Sequence, residues 1–195
     1  GDYSGPVLCL EPKILYRRAV GPQLPGEPSA DQLKAVRRGS GESLVSAGDL
    51  AGIEDFRIPF GKAAERRAGG DLTVVTWGNA THQTLEAARQ LAEEDGLECN
   101  VIDLRTLSPW DEDMVISSVR HTGRLLVAQQ DRTFAGFGRQ VQSVIHECLD
   151  SVTSLCVGMR NVPAVGQAKE LEEHTVLQPA RIVDAARQLC RRPAG

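Results

Sequence analysis

No apolar run in these 195 residues approaches the roughly 20 that a membrane-spanning helix needs. The opening Gly1-Asp2-Tyr3-Ser4-Gly5 has no signal-peptide pattern. Membrane and secretory readings are left without support, and the expectation is a cytoplasmic protein, or one of the mitochondrial matrix in a eukaryote. There is no Cys-x-x-Cys pair: Cys9, Cys99, Cys148, Cys156 and Cys190 are widely spaced, odd in number and set among apolar neighbours. They read as reduced core residues, and the sequon Asn79-Ala80-Thr81 then has no consequence, because glycosylation needs a secretory route. A clustered basic face is missing too. The net charge of −4 with mixed signs argues against a nucleic-acid surface. His121, His146 and His174 lie far apart with no cysteine or carboxylate at ligand spacing, so they read as solvated. No internal repeat is visible, and no initiator Met, which suggests a piece of something longer.

What is present is an alternation of strands and helices in a chain long enough for one domain with appendages. Leu72 to Trp77 is rich in β-branched residues, and Thr81 to Glu94 follows with Leu85, Ala88 and Leu91 on one helical face, closed by Gly96. Cys99 to Trp110 then supplies a strand with a Val101-Ile102 centre, a polar exit through Asp103, Arg105 and Thr106, and Ser108-Pro109 announcing a helix. That helix is expected over Asp111 to Arg120, with Pro109 in its first turn and Met114, Val115 and Val119 facing inward. Arg124 to Ala128 is a third strand, Ala135 to Gly138 a flexible turn, and Val141, Val144, Ile145 and Leu149 the stripe of the next helix. Leu155 to Gly158 is a fourth strand, Glu170 to His174 a turn of helix, and Pro179 to Arg191 a final amphipathic helix. Pro6 to Leu10 is a strand candidate without an obvious partner. From Ala19 to about Ile58, glycine and proline punctuate an aperiodic linker, with a short helix over Asp31 to Arg38 at most. Strands alternating with helices imply a mostly parallel sheet covered on both faces.

In such sheets ligand and partner sites gather at the carboxyl ends of strands, which directs the search to the loop after Ile102. Asp103 and Arg105 flank one residue there and read as a charge-assisted pair fixing the loop, since no nucleophile or second acid accompanies them. His82 begins a helix after the first strand, where a local hydrogen bond is its simplest role. Gly136-Phe137-Gly138 opens a helix and offers free amides to an anion, although a tight strand-to-helix turn explains the glycines as well. Arg17-Arg18, Arg66-Arg67 and Arg191-Arg192 read as surface charge. From the residues alone the result is a doubly wound α/β domain with no self-contained active site.

Five motifs in order carry more: Glu11-Pro12-Lys13-Ile14-Leu15-Tyr16-Arg17; Arg57-Ile58-Pro59-Phe60-Gly61-Lys62-Ala63; Val74-Val75-Thr76-Trp77-Gly78; Val101 to Asp111; and Thr122-Gly123-Arg124-Leu125-Leu126-Val127. Together they resemble the beta subunit of the thiamine diphosphate-dependent, decarboxylating component of 2-oxo acid dehydrogenase complexes, the first motif leaning to branched-chain members. The resemblance implies a remnant last strand of a pyrimidine-binding domain at 1–18, a linker at 19–61, and a transketolase-type C-terminal domain at 62–195. Its fold would be a three-layer α/β sandwich around a mostly parallel sheet of about five strands.

By the same resemblance, thiamine diphosphate and Mg2+ belong to the parent enzyme, held by an alpha subunit or domain and by the missing pyrimidine-binding domain. This fragment would then hold no cofactor or metal and no catalytic residue. Its partners would be the alpha subunit, a second beta copy and the lipoyl acyltransferase component, with His82, Asp103, Arg105 and Phe137 as interface candidates. A family cation site near Asp2 and Ser4 would be half absent. Where the family commonly has His-Glu before Gly-Gly-Phe, this chain has Gln129-Gln130 before Ala135-Gly136-Phe137, replacing a titratable pair with neutral amides. The other reading from the sequence is a free-standing α/β binding or assembly module, or the C-terminal domain of another transketolase-like enzyme.

Overall fold

The computed structural model describes residues 4–17, 58–163 and 168–191. The chain divides into two units, Gly1–Pro59 and Phe60–Gly195. Within the first, the expected strand at Pro6–Leu10 is not formed: residues 6–12 carry no helix or strand, and Val7, Leu8 and Leu10 are exposed. A strand is defined by the ladder that satisfies its amides, and among the described residues this segment has none. Lys13–Arg17 forms a short 3-10 helix instead. The linker and its possible helix over Asp31 to Arg38 lie almost wholly outside the described residues.

The second unit is built on five strands, β1 (Ala64–Arg67), β2 (Leu72–Thr76), β3 (Cys99–Asp103), β4 (Arg124–Arg132) and β5 (Thr153–Met159). Their order is β1-β3-β2-β4-β5, with β1 antiparallel and the other four parallel. β1 was invisible to periodicity. Ala64-Glu65-Arg66-Arg67 has no apolar alternation because it is an edge strand whose Glu65 and Arg66 face solvent. Central β2, Leu-Thr-Val-Val-Thr, is buried at all five positions, as a parallel strand covered on both faces must be.

The helices among the described residues of this unit are α1 (Asn79–Asp95), α2 (Glu112–Thr122), α3 (Phe137–Cys148), α4 (Lys169–Thr175) and α5 (Pro179–Cys190), of which α1, α2, α3 and α5 pack on the sheet. Alternate residues of the strands divide the core into two layers. Leu72, Val74, Cys99, Val101, Leu126 and Ala128 pack with α1 and α5, while Val75, Ile102, Leu125 and Val127 pack with α2 and α3. Each fully buried aliphatic side chain contributes roughly 1.5–3 kcal/mol. Local chemistry sets the helix ends. Gly96, at φ 67°, stops α1 by donating to Ala92 O while Leu97 N reaches Leu91 O. Gly123 ends α2 in the same left-handed conformation. α2 itself starts later than expected: Asp111 caps it by accepting from Met114 N at 3.3 Å, and Pro109 lies outside, in a cis peptide with Ser108.

The cysteines divide by position. Cys99 is buried and Cys156 and Cys190 half-buried, but Cys9 and Cys148 are exposed, Cys148 as the last residue of α3 on its solvent face. Among the described residues no helix is long and apolar enough to cross a membrane.

Candidate functional site

Because β2, β3 and β4 are parallel and in register, β2 and β3 end level at Thr76 and Asp103, beside Ala128 of the longer β4. After this row, α1 leaves toward one face of the sheet and α2 and α3 toward the other, the arrangement that opens a crevice in doubly wound sheets. The four residues singled out in the sequence all lie along this edge: His82 in the first turns of α1, Asp103 at the end of β3, Arg105 in the β3–α2 connection, and Phe137 at the head of α3.

Asp103 and Arg105 do not form the expected side-chain pair. Arg66 of β1 donates to Asp103 Oδ2 from Nε at 3.1 Å and from Nη2 at 2.8 Å, and Arg105 offers Asp103 only its backbone N–H, at 3.2 Å to Oδ1. The Arg105 guanidinium turns to the carbonyls of Lys62, at 2.9 and 2.7 Å, and Ala63, at 3.0 Å. Arg105 holds this position with φ 59°, a conformation that non-glycine residues seldom adopt. Two further side chains of the same connection bind the same segment: Thr106 Oγ1 accepts from Gly61 N at 2.9 Å, and Asp111 Oδ2 from Ala63 N at 3.0 Å. The motif from Asp103 to Asp111 is therefore a clamp that fixes the chain running from Gly61 into β1. Arg66 and Arg67, expected as surface charge, are both paired, Arg67 with Glu98.

The second feature is a pinned loop. Gln129 is fully buried; its Oε1 accepts from Gly138 N at 2.7 Å and its Nε2 donates to Arg132 O at 2.7 Å. Its amide group thus closes the turn between β4 and α3, so the turn expected there is tied by hydrogen bonds at both ends. A Cβ on Gly136 would collide with Arg132 O and Gln129 Nε2, and one on Gly138 would lie 2.7 Å from Gln129 Oε1 and 2.8 Å from Cys156 Sγ. Neither glycine needs positive φ; each is small because something else occupies the space. The Gly138 amide, offered above to an anion, is already taken. Ala135, at φ 55°, carries the turn's strain.

Phe137, at the end of that loop, meets Trp77 edge-on at 5.6 Å between ring centroids and Trp110 edge-on at 6.3 Å. One aromatic cluster thereby joins the loops after β2, β3 and β4. Sequence reasoning found Phe137 but not the two tryptophans, although each directly follows a strand or its exit loop, which was the available signal.

The edge is poor in reactive groups. Its buried carboxylates, Asp103 and Asp111, are engaged as just described, and burial pushes the Cys156 thiol up to about 11, against the pull of Arg139. Such a thiol stays protonated at neutral pH and is a weak nucleophile. Among the described residues no three His, Cys, Asp or Glu side chains gather as metal ligands. This donor set does not fit a diphosphate with its divalent ion: the buried carboxylates are spoken for and the glycine-loop amide is internally bonded. What the geometry does provide is a rigid, half-exposed surface.

Residues 61–182 match the family described as transketolase, C-terminal domain. The chain is 34% identical over 140 residues to the 2-oxoisovalerate dehydrogenase subunit beta of Bacillus subtilis, covering 70% of this chain and 42% of that relative. It is 36% identical over 142 residues to the mitochondrial 2-oxoisovalerate dehydrogenase subunit beta 2 of Arabidopsis thaliana, covering 73% and 32%. Against the pyruvate dehydrogenase E1 component subunit beta of Bacillus subtilis the identity is 43% over 94 residues, covering 48% and 29%. A solved structure described as a split gene transketolase, inactive beta4 tetramer, matches with a TM-score of 0.64 at 28% identity, covering 70% of this chain and 45% of that chain. The chain spans less than half the length of each of these relatives. With a family match over most of its length and the mixed sheet described above, the chain belongs to the transketolase C-terminal domain family and is homologous to E1 beta subunits of 2-oxo acid dehydrogenases.

Proposed function

We propose that this chain is the C-terminal assembly and docking domain of a thiamine diphosphate-dependent 2-oxo acid dehydrogenase, and that it has no catalytic activity alone. The parent enzyme oxidatively decarboxylates a 2-oxo acid and passes the acyl group to lipoyl. The branched-chain wording of Glu11 to Arg17 and the 2-oxoisovalerate relatives favour a branched substrate. Thiamine diphosphate and Mg2+ are assigned to the alpha partner and to the pyrimidine-binding domain, and the domain's partners are that alpha subunit, a second beta copy and the lipoyl acyltransferase. Its location is the cytoplasm, or the mitochondrial matrix in a eukaryote.

One observation carries the reading: the buried polar groups at the carboxyl edge, where an α/β domain would place its chemistry, are spent on internal structure. Asp103 holds Arg66, Asp111 holds Ala63 N and caps α2, and Gln129 closes the β4–α3 loop. The exposed Val7, Leu8 and Leu10 support the assignment of 1–18 to a neighbouring domain, since apolar side chains of that kind are normally covered.

Co-expression of the coding sequence, extended upstream, with its alpha partner tests the proposal. The extended pair is expected to decarboxylate a branched 2-oxo acid in the presence of thiamine diphosphate, and the chain alone to do nothing. Turnover by the chain alone, or an inert extended pair, overturns it.

A further inference from the structure

Edge strand β1 pairs with β3 over only part of its length. Ala64 faces Asp103 and Glu65 faces Ile102, but a bulge follows, and the ladder ends with Arg67 opposite Val101. Asn100 is left without a partner residue on β1. A bulge bends the edge strand and interrupts its ladder. Beside it lies a cavity of about 240 Å3, lined by Glu65 of β1, Asn100 and Ile102 of β3, and Met114, Ser117 and Ser118 of α2. That is the liquid volume of roughly eight waters at ~30 Å3 each.

The polarity of this cavity is set by a chain of hydrogen bonds behind it. Thr122 Oγ1 donates its one hydrogen to a backbone carbonyl, with Arg124 O at 3.0 Å. Thr73 Oγ1 lies 2.9 Å from Thr122 Oγ1 and 2.7 Å from Ser118 Oγ, and Asn100 Nδ2 donates to Ser118 Oγ at 3.1 Å. A hydroxyl has a single hydrogen to give. With that of Thr122 committed, Thr73 donates to Thr122, Ser118 donates to Thr73, and Ser118 takes its own hydrogen bond from Asn100. The chain therefore needs a donor at its head, which fixes the orientation of the Asn100 amide. Its Nδ2 is turned to Ser118, and its Oδ1 is buried with no hydrogen-bond partner. A buried acceptor in that state costs about 1–3 kcal/mol until a donor reaches it.

The other charged group of the lining is also an acceptor. Glu65 is exposed, and among the described residues its carboxylate has no ion pair and no hydrogen bond. No cation lines the cavity. An anion would meet Glu65 without a counter-charge, and a neutral alcohol would leave the carboxylate unneutralised. A primary ammonium brings positive charge and three N–H donors to the Glu65 carboxylate, Asn100 Oδ1 and the Ser117 hydroxyl. Ile102 and Met114 supply the apolar wall for an alkyl chain, so a few polar groups converge beside an apolar surface, as in small-molecule sites generally.

We propose that this cavity binds a small aliphatic amine, its ammonium between Asn100 Oδ1 and the Glu65 carboxylate and its alkyl chain against Ile102 and Met114. The volume accommodates the whole of a short-chain amine, so the ligand is a free molecule rather than a lysine of another protein. The site stands whether or not the assembly reading above does.

Two-dimensional NMR of the full chain titrated with n-butylammonium chloride tests it, with 1-butanol, sodium butyrate and Nα-acetyl-lysine methylamide in parallel arms. Saturable shifts are expected at Ser117, Ser118 and the Asn100 side-chain amide, with a Kd of about 1–10 mM, as befits so small a ligand. Glu65→Gln, at an exposed position that leaves circular dichroism unchanged, should raise that Kd about fivefold, the upper end for a solvated ion pair. Butanol should bind more weakly by a similar factor and butyrate not at all. No saturation at these residues by ~100 mM n-butylammonium, a Kd indifferent to Glu65→Gln, or equal binding of butanol overturns the ammonium site. A blocked lysine that binds at least about tenfold tighter than n-butylammonium overturns the assignment to a free molecule.

Discussion

Asp103 is held by Arg66 across the β1–β3 pair, and Arg105, two residues along the same strand exit, spends its guanidinium on the carbonyls of Lys62 and Ala63. The two charges that look like partners in the sequence each bind the segment leading into β1. Asp103 is 8% exposed, so its loss leaves a partly buried guanidinium and an amide without their acceptor. Asp103→Ala is expected to destabilise the domain by about 1–3 kcal/mol. Arg66→Ala should cost less, ~1 kcal/mol, because the Arg66 side chain is 45% exposed and its pair with Asp103 is partly screened. A double-mutant cycle in urea should show coupling between Asp103 and Arg66 and little between Asp103 and the Arg105 side chain; the reverse pattern would refute the assignment.

The β4–α3 turn makes a sharper test of packing. Gly138→Ala places a methyl group within 3 Å of Gln129 Oε1, Cys156 Sγ and Val127 Cγ1, and should cost about 1–3 kcal/mol through overpacking. Gly70 has nothing within 4 Å of the same position, so Gly70→Ala serves as a control expected to lie within ~0.5 kcal/mol of wild type. Equal effects at the two sites in thermal melts would mean that the loop is not pinned.

Thiol chemistry should follow burial. Cys9 and Cys148 are exposed, whereas burial pushes Cys99 up to about 12 and Cys156 up to about 11. At pH 8 Cys9 and Cys148 should react promptly with a disulfide reagent, and Cys99 and Cys156 only after unfolding. The same shift makes a pH prediction. Cys99 keeps its proton in the fold but loses it near pH 9 when unfolded, so its contribution is full below pH 9 and declines as the pH rises toward 12. Cys99→Ala should lower stability at neutral pH and flatten that alkaline decline; an unchanged slope would remove Cys99 as its source.

The legible parts of the fold were those written in periodicity. Strands buried on both faces and amphipathic helices announce themselves, as at Leu72–Thr76 and Pro179–Cys190, and Gly96 marks a helix end by its left-handed backbone. β1 was not legible, because an edge strand of Glu and Arg has no apolar face to show. The site was half legible. Its place at the strand ends followed from topology, but the partner of Asp103 lies 37 residues away, and sequence proximity to Arg105 suggested the wrong one. Gln129 departs from the His-Glu common in the family, and the closed loop gives the amide its use, since it accepts from Gly138 N and donates to Arg132 O at once.

The central claim is that this domain assembles an enzyme without holding its cofactor. Isothermal titration of thiamine diphosphate and Mg2+ into the purified chain tests it most directly. No saturable heat is expected; a stoichiometric complex with a dissociation constant in the micromolar range or below would contradict a domain that holds no cofactor.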